Sequence, residues 1–269
     1  DAKVLAGGQS LVPLLNMRLA RFDALIDILR IPELSRMVAT DEGMAMGATV
    51  PQYAVEESAE IASRQPLLAE AIRYVGHPQT RNRGTIGGSV AHADPAAELP
   101  STVMALRGTI ELSSTKGSRL VDAEDFFVTY FTTLMEPTEM LSRLLLPPWP
   151  DSTGHAFLEV SRRHGDFALV GIAAVLGLDG KGTVERADLV FLGCGETPVR
   201  ARVAEEFLLG ERPDERLFGA ASEAVQGELE PGSDIHAPAE YRREVAGVLT
   251  ERALGLALRR AREGNHAGA

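Results

Sequence analysis

Three of the four residues in Pro147-Pro148-Trp149-Pro150 are proline, followed by Asp151-Ser152. No helix interior or central strand accepts such a run, because each proline lacks an N–H and fixes its φ. The chain must therefore fold as two parts meeting near residue 150, expected as domains 1–150 and 151–269. At 269 residues and 45% hydrophobic, it has enough apolar material for a full core, as one large domain or two moderate ones.

The first part alternates short apolar runs with glycine-rich turns. Val4-Leu5-Ala6 reads as a strand entering a double glycine, Leu25 to Leu29 as a buried strand, and Gly43 to Val50 as another strand bounded by glycines. Pro66 to Val75 reads as a helix, with Pro66 near its start and Gly76 just past its end. In the second part, Ala168 to Leu178 and Ala187 to Leu192 read as strands, and helical patterns follow. The last runs from about Pro238 to Arg262, with a frayed tail over Glu263 to Ala269. There is no internal repeat. The sequence opens at Asp1 directly into a strand, from which we expect a segment upstream of it that would pair with that strand.

Charge and cysteine count remove several classes of function. Lys and Arg number 27 against 38 Asp and Glu, a net charge of −11, with no basic block beyond Arg81 and Arg83, so no nucleic-acid partner is expected. Cys194 is the single cysteine. The chain cannot form an internal disulfide or supply several thiolates to a metal or iron–sulfur cluster, and any such cluster belongs to another polypeptide. The six histidines are scattered without ligand spacing, so no metal site is expected. No run of about 18 apolar residues and no signal peptide is seen, which makes the cytoplasm the expected compartment.

Two loops carry candidate chemistry. Ala6-Gly7-Gly8-Gln9-Ser10 follows a strand and precedes a helix starting at Leu11; its glycines let backbone N–H groups approach an anion, and Ser10 adds a hydroxyl. Arg81-Asn82-Arg83-Gly84-Thr85-Ile86-Gly87-Gly88-Ser89 repeats the pattern. Together they suit the two halves of a pyrophosphate, though each alone also reads as a tight turn. Neither matches the Rossmann or P-loop fingerprint. A further loop, Ala91 to Pro100, places His92, Asp94 and Glu98 beside the second. Carboxylates repel phosphate, so ribityl or ribose hydroxyls are their natural ligands; the alternative is simple turn chemistry.

Lys3 to Ser10, Arg81 to Ser89 and Ala91 to Pro100, together with Gly165-Asp166-Phe167-Ala168, Gly193-Cys194-Gly195-Glu196-Thr197-Pro198-Val199-Arg200-Ala201 and Tyr241-Arg242-Arg243, resemble the flavoprotein subunit of carbon monoxide dehydrogenase and related molybdenum hydroxylases, including xanthine dehydrogenase. The resemblance runs through nearly the whole chain. It implies an α+β fold: a two-lobed FAD-binding domain of the vanillyl-alcohol oxidase (PCMH) type, then a smaller domain of antiparallel sheet and helices, with the flavin between them. It assigns FAD binding to Lys3, Ala6, Gly7, Gly8, Gln9, Ser10, Leu11, Thr85, Ile86, Gly87, Gly88, Ser89, His92, Asp94, Glu98, Asp166 and Phe167, and gives the chain no catalytic acid, base or metal ligand of its own. Phe167 stands where an aromatic residue, often Tyr, lies against the isoalloxazine ring, and Ser89 where Asn is common. Phe stacks but cannot hydrogen-bond; the reading from residues alone is a core aromatic. Cys194, between glycines, is expected to be buried and inert.

The implied role is an oxidoreductase subunit that moves electrons. The flavin accepts them from [2Fe-2S] clusters on a small subunit and passes them to an external acceptor, while a large subunit carries molybdopterin, in a dimer of heterotrimers. The alternatives are a stand-alone flavin oxidase or reductase of this fold, and a scaffold subunit without flavin. The sequence does not report the substrate of the complex; carbon monoxide, a purine, an aldehyde or an N-heterocycle would all be compatible.

Overall fold

The computed structural model describes residues 1–264. The first part begins with β1 (Ala2–Leu5), α1 (Leu11–Asn16) and β2 (Ala24–Asp27), in which β1 and β2 pair in parallel. The expected strand at Leu25 exists but is not buried: Leu25 and Ile26 are 43% and 53% exposed, and only Ile28 beyond the strand end is covered. The unit is too thin to bury it, since two strands are crossed by a helix with no buried residue.

Next come β3 (Met37–Thr40), β4 (Gly43–Gly47), and the short helices α2 (Gln52–Glu56), α3 (Ala59–Arg64), α4 (Pro66–Ala71), α5 (Pro78–Arg81), α6 (Ile86–His92) and α7 (Glu98–Ala105). They are followed by β5 (Thr109–Ser114), β6 (Gly117–Asp122), α8 (Ala123–Phe126), β7 (Phe127–Thr129), β8 (Thr132–Thr133) and β9 (Met140–Leu146). Five strands form one antiparallel sheet in the order β3-β4-β9-β5-β6. The α4 stretch starts on Pro66 as expected. Its α-helical part ends at Ala71, and a tightened turn with Tyr74 N–H to Ala71 O (3.0 Å) carries the chain to Gly76 at φ +51°.

The proline run occupies the unstructured link between β9 and β10 (Thr153–Ser161). Beyond it, β11 (Ala168–Leu178), β12 (Val184–Leu192) and β13 (Val199–Arg200) complete a second antiparallel sheet, β10-β11-β12-β13, backed by α9 (Arg202–Leu208), α10 (Glu215–Glu228) and α11 (Ala239–Gly264). Of the expected frayed tail, Glu263 and Gly264 close α11, and 265–269 lie outside the described residues.

This second sheet has no wet face. Phe157, Ala173, Val175, Val190 and Leu192 pack into the core of the first part, while the alternate residues Ala156, Ile172, Ala174, Leu189 and Phe191 pack under α9, α10 and α11. Two polar ties add to the junction. Glu70 on α4 accepts from Arg260 Nη1 at 2.7 Å and lies 3.3 Å from His155 Nε2. That proximity would favour an imidazolium, but burial first and Arg260 second lower the His155 pKa to about 3, so the neutral ring faces Glu70. The second tie is Asp188, which is fully buried. Burial alone would raise its carboxyl, yet Arg186 (2.6 Å), Arg200 (2.7 Å) and Arg107 (2.9 Å) hold it below the usual range.

Candidate functional site

The first glycine loop joins β1 to α1. Gly8 has φ +72°, open to glycine but strained for other residues. Gly7 is required for a different reason: a Cβ there would overlap the Arg83 carbonyl oxygen and stand 2.8 Å from Gly84 Cα, so its absence lets the first loop lie against the second. The backbone N–H groups of Gly7, Gly8, Gln9 and Ser10 meet no acceptor among the described residues. The Ser10 hydroxyl, at the N-cap position of α1, also makes no capping bond. Gly7 and Gly8 are half-buried, where backbone donors are normally paired, while Gln9 and Ser10 are exposed. A row of free N–H groups with an unbound hydroxyl beside it is therefore what an anionic ligand would complete.

The second loop differs from expectation. Its N–H groups were expected to point at the ligand, but Ile86 N–H donates to Val50 O (3.0 Å), Gly87 N–H to Ala48 O (3.1 Å) and Gly88 N–H to the Thr85 hydroxyl (3.1 Å). Thr85 acts as the N-cap of α6 and Gly87 as the close contact with Ala48, so these donors hold the helix against the end of β4. What this loop offers the site is shape. Gly88 faces the first loop, where a Cβ would lie 3.5 Å from that of Ala6 and 2.7 Å from Thr85 Oγ1; Ser89 follows, half-buried. Arg81 is not a free cation: it is ion-paired with Glu56 (2.7 Å) and donates to Val75 O (3.0 Å).

The stretch Ala91 to Pro100, expected as one loop, is a helix end, a turn and a helix start. His92 ends α6, Ala93 caps it in the left-handed conformation (φ +54°), Asp94 accepts from Ala96 N–H (2.9 Å), and Glu98 opens α7. The His92 pKa is lowered, chiefly by burial; Asp94 opposes the shift and Lys3 adds to it, which places Lys3 of β1 in the electrostatic neighbourhood of His92.

Glu98 is almost completely buried, and desolvation pushes it up to about 7. Glu159 on β10 is pushed up to about 8, first by burial and then by Glu98, and its Oε2 is buried without a hydrogen-bond partner. Carboxyls raised this far can keep a proton near neutral pH, and then donate hydrogen bonds as well as accept them. Glu159 was not among the residues read from the sequence.

Asp166 and Phe167 lie in the turn between β10 and β11. Asp166 accepts from Arg163 Nε (3.2 Å), and Gly165, at φ +82°, lies so close to His77 that a Cβ would be 2.6 Å from its Nδ1. Phe167 is 68% exposed, which rules out the core reading and leaves a ring free to cover something. Arg242 donates to the carbonyls of Leu169 and Gly193 (3.2 Å for the latter), and Gly193 N–H donates to Pro95 O (2.9 Å). The Phe167 turn is thus linked to the turn that carries Asp94. Cys194 is buried, and desolvation raises its thiol to about 12, so it is inert as expected.

The structure thus brings the two glycine loops into contact, sets Lys3 and Asp94 within electrostatic reach of His92 and Glu98 within that of Glu159, and ties the Phe167 turn to the same region. The donors free in the first loop suit a pyrophosphate, and the acids one helix further on suit hydroxyls, so these residues fit a dinucleotide.

Comparison with known proteins agrees. Residues 1–149 match the family described as the FAD binding domain in molybdopterin dehydrogenase, and residues 155–257 match the CO dehydrogenase flavoprotein C-terminal domain. The 6-hydroxypseudooxynicotine dehydrogenase complex subunit alpha of Paenarthrobacter nicotinovorans is 41% identical over 97% of this chain and 88% of its own length. The carbon monoxide dehydrogenase medium chain of Hydrogenophaga pseudoflava is 35% identical over 96% and 89%. The solved carbon monoxide dehydrogenase from that organism, lacking the Mo-pyranopterin moiety, superposes with a TM-score of 0.93 at 36% identity, covering 96% of this chain and 90% of that one.

Two glycine loops in contact, the first with unpaired main-chain donors, in a chain whose two domains match these families and this fold, define a flavin-binding oxidoreductase of two-lobed PCMH-like architecture. The chain belongs to the FAD-binding medium-subunit family of the molybdenum hydroxylases, the carbon monoxide dehydrogenase and xanthine dehydrogenase type.

Proposed function

We propose that this chain receives electrons from [2Fe-2S] clusters on a small partner subunit and delivers them, through its FAD, to an external acceptor. A large subunit carries molybdopterin and performs the hydroxylation, in a dimer of heterotrimers located in the cytoplasm. The working division is an FAD domain over 1–150 and a closing domain over 151–269. FAD, when bound, supplies the redox centre.

The observation that carries this reading is the row of unbound N–H groups from Gly7 to Ser10 set against the side-chain-free face at Gly88. In this reading the first loop and the Ser10 hydroxyl hold the pyrophosphate, with Lys3, Ala6 and Leu11 framing them. Thr85, Ile86, Gly87, Gly88 and Ser89 form the opposite wall. His92, Asp94 and Glu98 meet the sugar and ribityl hydroxyls, and Asp166 places Phe167 over the flavin ring.

Electron transfer without substrate chemistry accords with a single cysteine that is buried, and with the lack of any metal-binding cluster of acidic, His or Cys side chains among the described residues. No helix among them is long and apolar enough to cross a membrane. The relatives' names, one after 6-hydroxypseudooxynicotine and one after carbon monoxide, accord with a substrate chosen outside this subunit.

Purification from the native source, with metal analysis, absorption spectra and size measurement, tests the proposal. We expect a complex containing iron, molybdenum and FAD, in which a stable contact of this chain buries at least about 1,000 Å² in total. A lone flavoprotein that oxidises substrate without iron or molybdenum would establish the oxidase alternative instead, and a chain with no flavin spectrum would establish the scaffold.

A further inference from the structure

The two-residue turn between β7 and β8 is Tyr130-Phe131, and Phe131 has φ +52°. Glycine or asparagine ordinarily takes a left-handed second turn position, because a Cβ there crowds the backbone. A bulky aromatic residue in that conformation is strained, and such strain persists where the surroundings hold it. Burial does not compensate here, since Phe131 is 56% exposed.

Three contacts fix the turn in place. Phe131 N–H donates to Ala93 O (3.2 Å), the left-handed residue that caps α6. The Phe131 ring lies 5.1 Å from the His92 ring, tilted by 39°. On the far strand side, the Thr129 hydroxyl donates to Glu196 Oε2 (2.6 Å), in the same loop as Gly193, whose N–H reaches Pro95. The hairpin is therefore fastened directly to Ala93 and, through the loop carrying Gly193 and Glu196, indirectly to Pro95.

Position says what would cover the ring. His92 stands four to five residues beyond Gly87 and Gly88 on α6, about 6–8 Å along the helix axis, and Phe131 packs on His92. That is about the reach from a dinucleotide's pyrophosphate to either of its ring systems. We propose that Phe131, tilted against His92, is a further cofactor-binding residue: its exposed ring is the shelf on which a planar ring of the FAD rests. Aromatic shelves hold such rings well, because stacking needs no directional hydrogen bond. This rests on the FAD reading above and adds a residue outside the family resemblance.

The experiment measures FAD binding to the full chain by flavin fluorescence and absorbance, alongside thermal melting, for wild type, Phe131→Ala, Phe131→Gly and Phe131→Tyr. Phe131→Gly separates the two roles of the residue. Glycine relieves the positive φ, so Tm should hold or rise, while FAD affinity should fall about tenfold, as loss of one stacking partner implies. Phe131→Ala should lose affinity likewise, and Phe131→Tyr should retain it. ADP and FMN as competitors identify the ring: a loss shared with ADP alone assigns the adenine, and one shared with FMN alone assigns the isoalloxazine. Unchanged FAD affinity in Phe131→Gly and Phe131→Ala would overturn this proposal and leave the exposed ring to a protein partner. Failure of wild type to bind FAD would instead overturn the functional reading beneath it.

Discussion

The missing side chain of Gly7 points at Gly84: a Cβ would stand 2.8 Å from the Gly84 Cα, and the neighbouring Arg83 carbonyl leaves it no other way out. The two glycine loops are thus fitted to each other before any ligand is considered. Gly7→Ala must push backbone against backbone, and we expect a stability loss of about 1–3 kcal/mol together with loss of FAD. Gly88 meets only the Thr85 hydroxyl and the Ala6 methyl. Gly88→Val should abolish FAD binding with the smaller stability loss of the two. Urea melts and flavin content check both, and stoichiometric flavin in Gly88→Val would remove the second loop from the site.

Ser10 gives a cleaner separation, because its hydroxyl makes no capping bond. Ser10→Ala should leave stability within about 0.5 kcal/mol of wild type, as for a surface change. It should weaken FAD binding by about 1 kcal/mol, roughly fivefold, through loss of one hydrogen bond. Equal FAD affinity, by titration, would show that the hydroxyl faces solvent in the complex.

Burial raises Glu98 to about 7, Glu159 to about 8 and Glu205 to about 7. A carboxyl raised in the folded state contributes its full stability below the unfolded value near 4.5, and that contribution fades as pH rises through the folded value. The cofactor-free protein should therefore lose stability between pH 5 and about 8, most steeply above about 6.5, because His155, lowered to about 3, gains stability as pH rises towards 6.5 and offsets part of the loss below it. Glu139 and Asp234, lowered to about 2, lose theirs only as pH falls below their unfolded values and do not change this range. Glu159→Gln should flatten the slope without abolishing it, since Glu205 remains. Denaturant melts across that range provide the check, and an unchanged slope would mean that Glu159 ionises freely.

Phe167 is predicted to matter for the flavin and not for the fold. Phe167→Ala should change the flavin spectrum or the rate of reoxidation, measured by stopped flow, while Tm stays within about 2 °C, because a 68% exposed ring contributes little packing. A drop of the few kcal/mol typical of a core truncation, with flavin behaviour unchanged, would contradict its exposed placement.

What could be read from the sequence followed from how each segment is covered. The run Ala168 to Leu178 was legible to the residue because both faces of β11 are buried, which leaves an unbroken apolar stretch. α11 was legible through its stop and its stripe. α7 was not: all eight of its residues are buried, so no polar face gives a helical period, and Pro100 within its first turn read as a loop. The spent donors of Ile86 and Gly87 were equally hidden, since their acceptors, Val50 and Ala48, follow a strand far back in the chain. Glu159 carried no signal in the sequence, since its burial depends on elements packed on β10 from distant parts of the chain.

The second sheet, with the core of the first part on one face and α9, α10 and α11 on the other, makes the proline link a poor place to cut. A fragment beginning near residue 151 would open a surface of Phe157, Val175, Val190 and Leu192 to water, and its complement would lose the lid of its own core. Apolar areas of that kind drive self-association. The visible seam in the sequence is thus a boundary of topology and not of cooperativity: the whole chain should melt in one transition, and neither half should be obtainable as a soluble module.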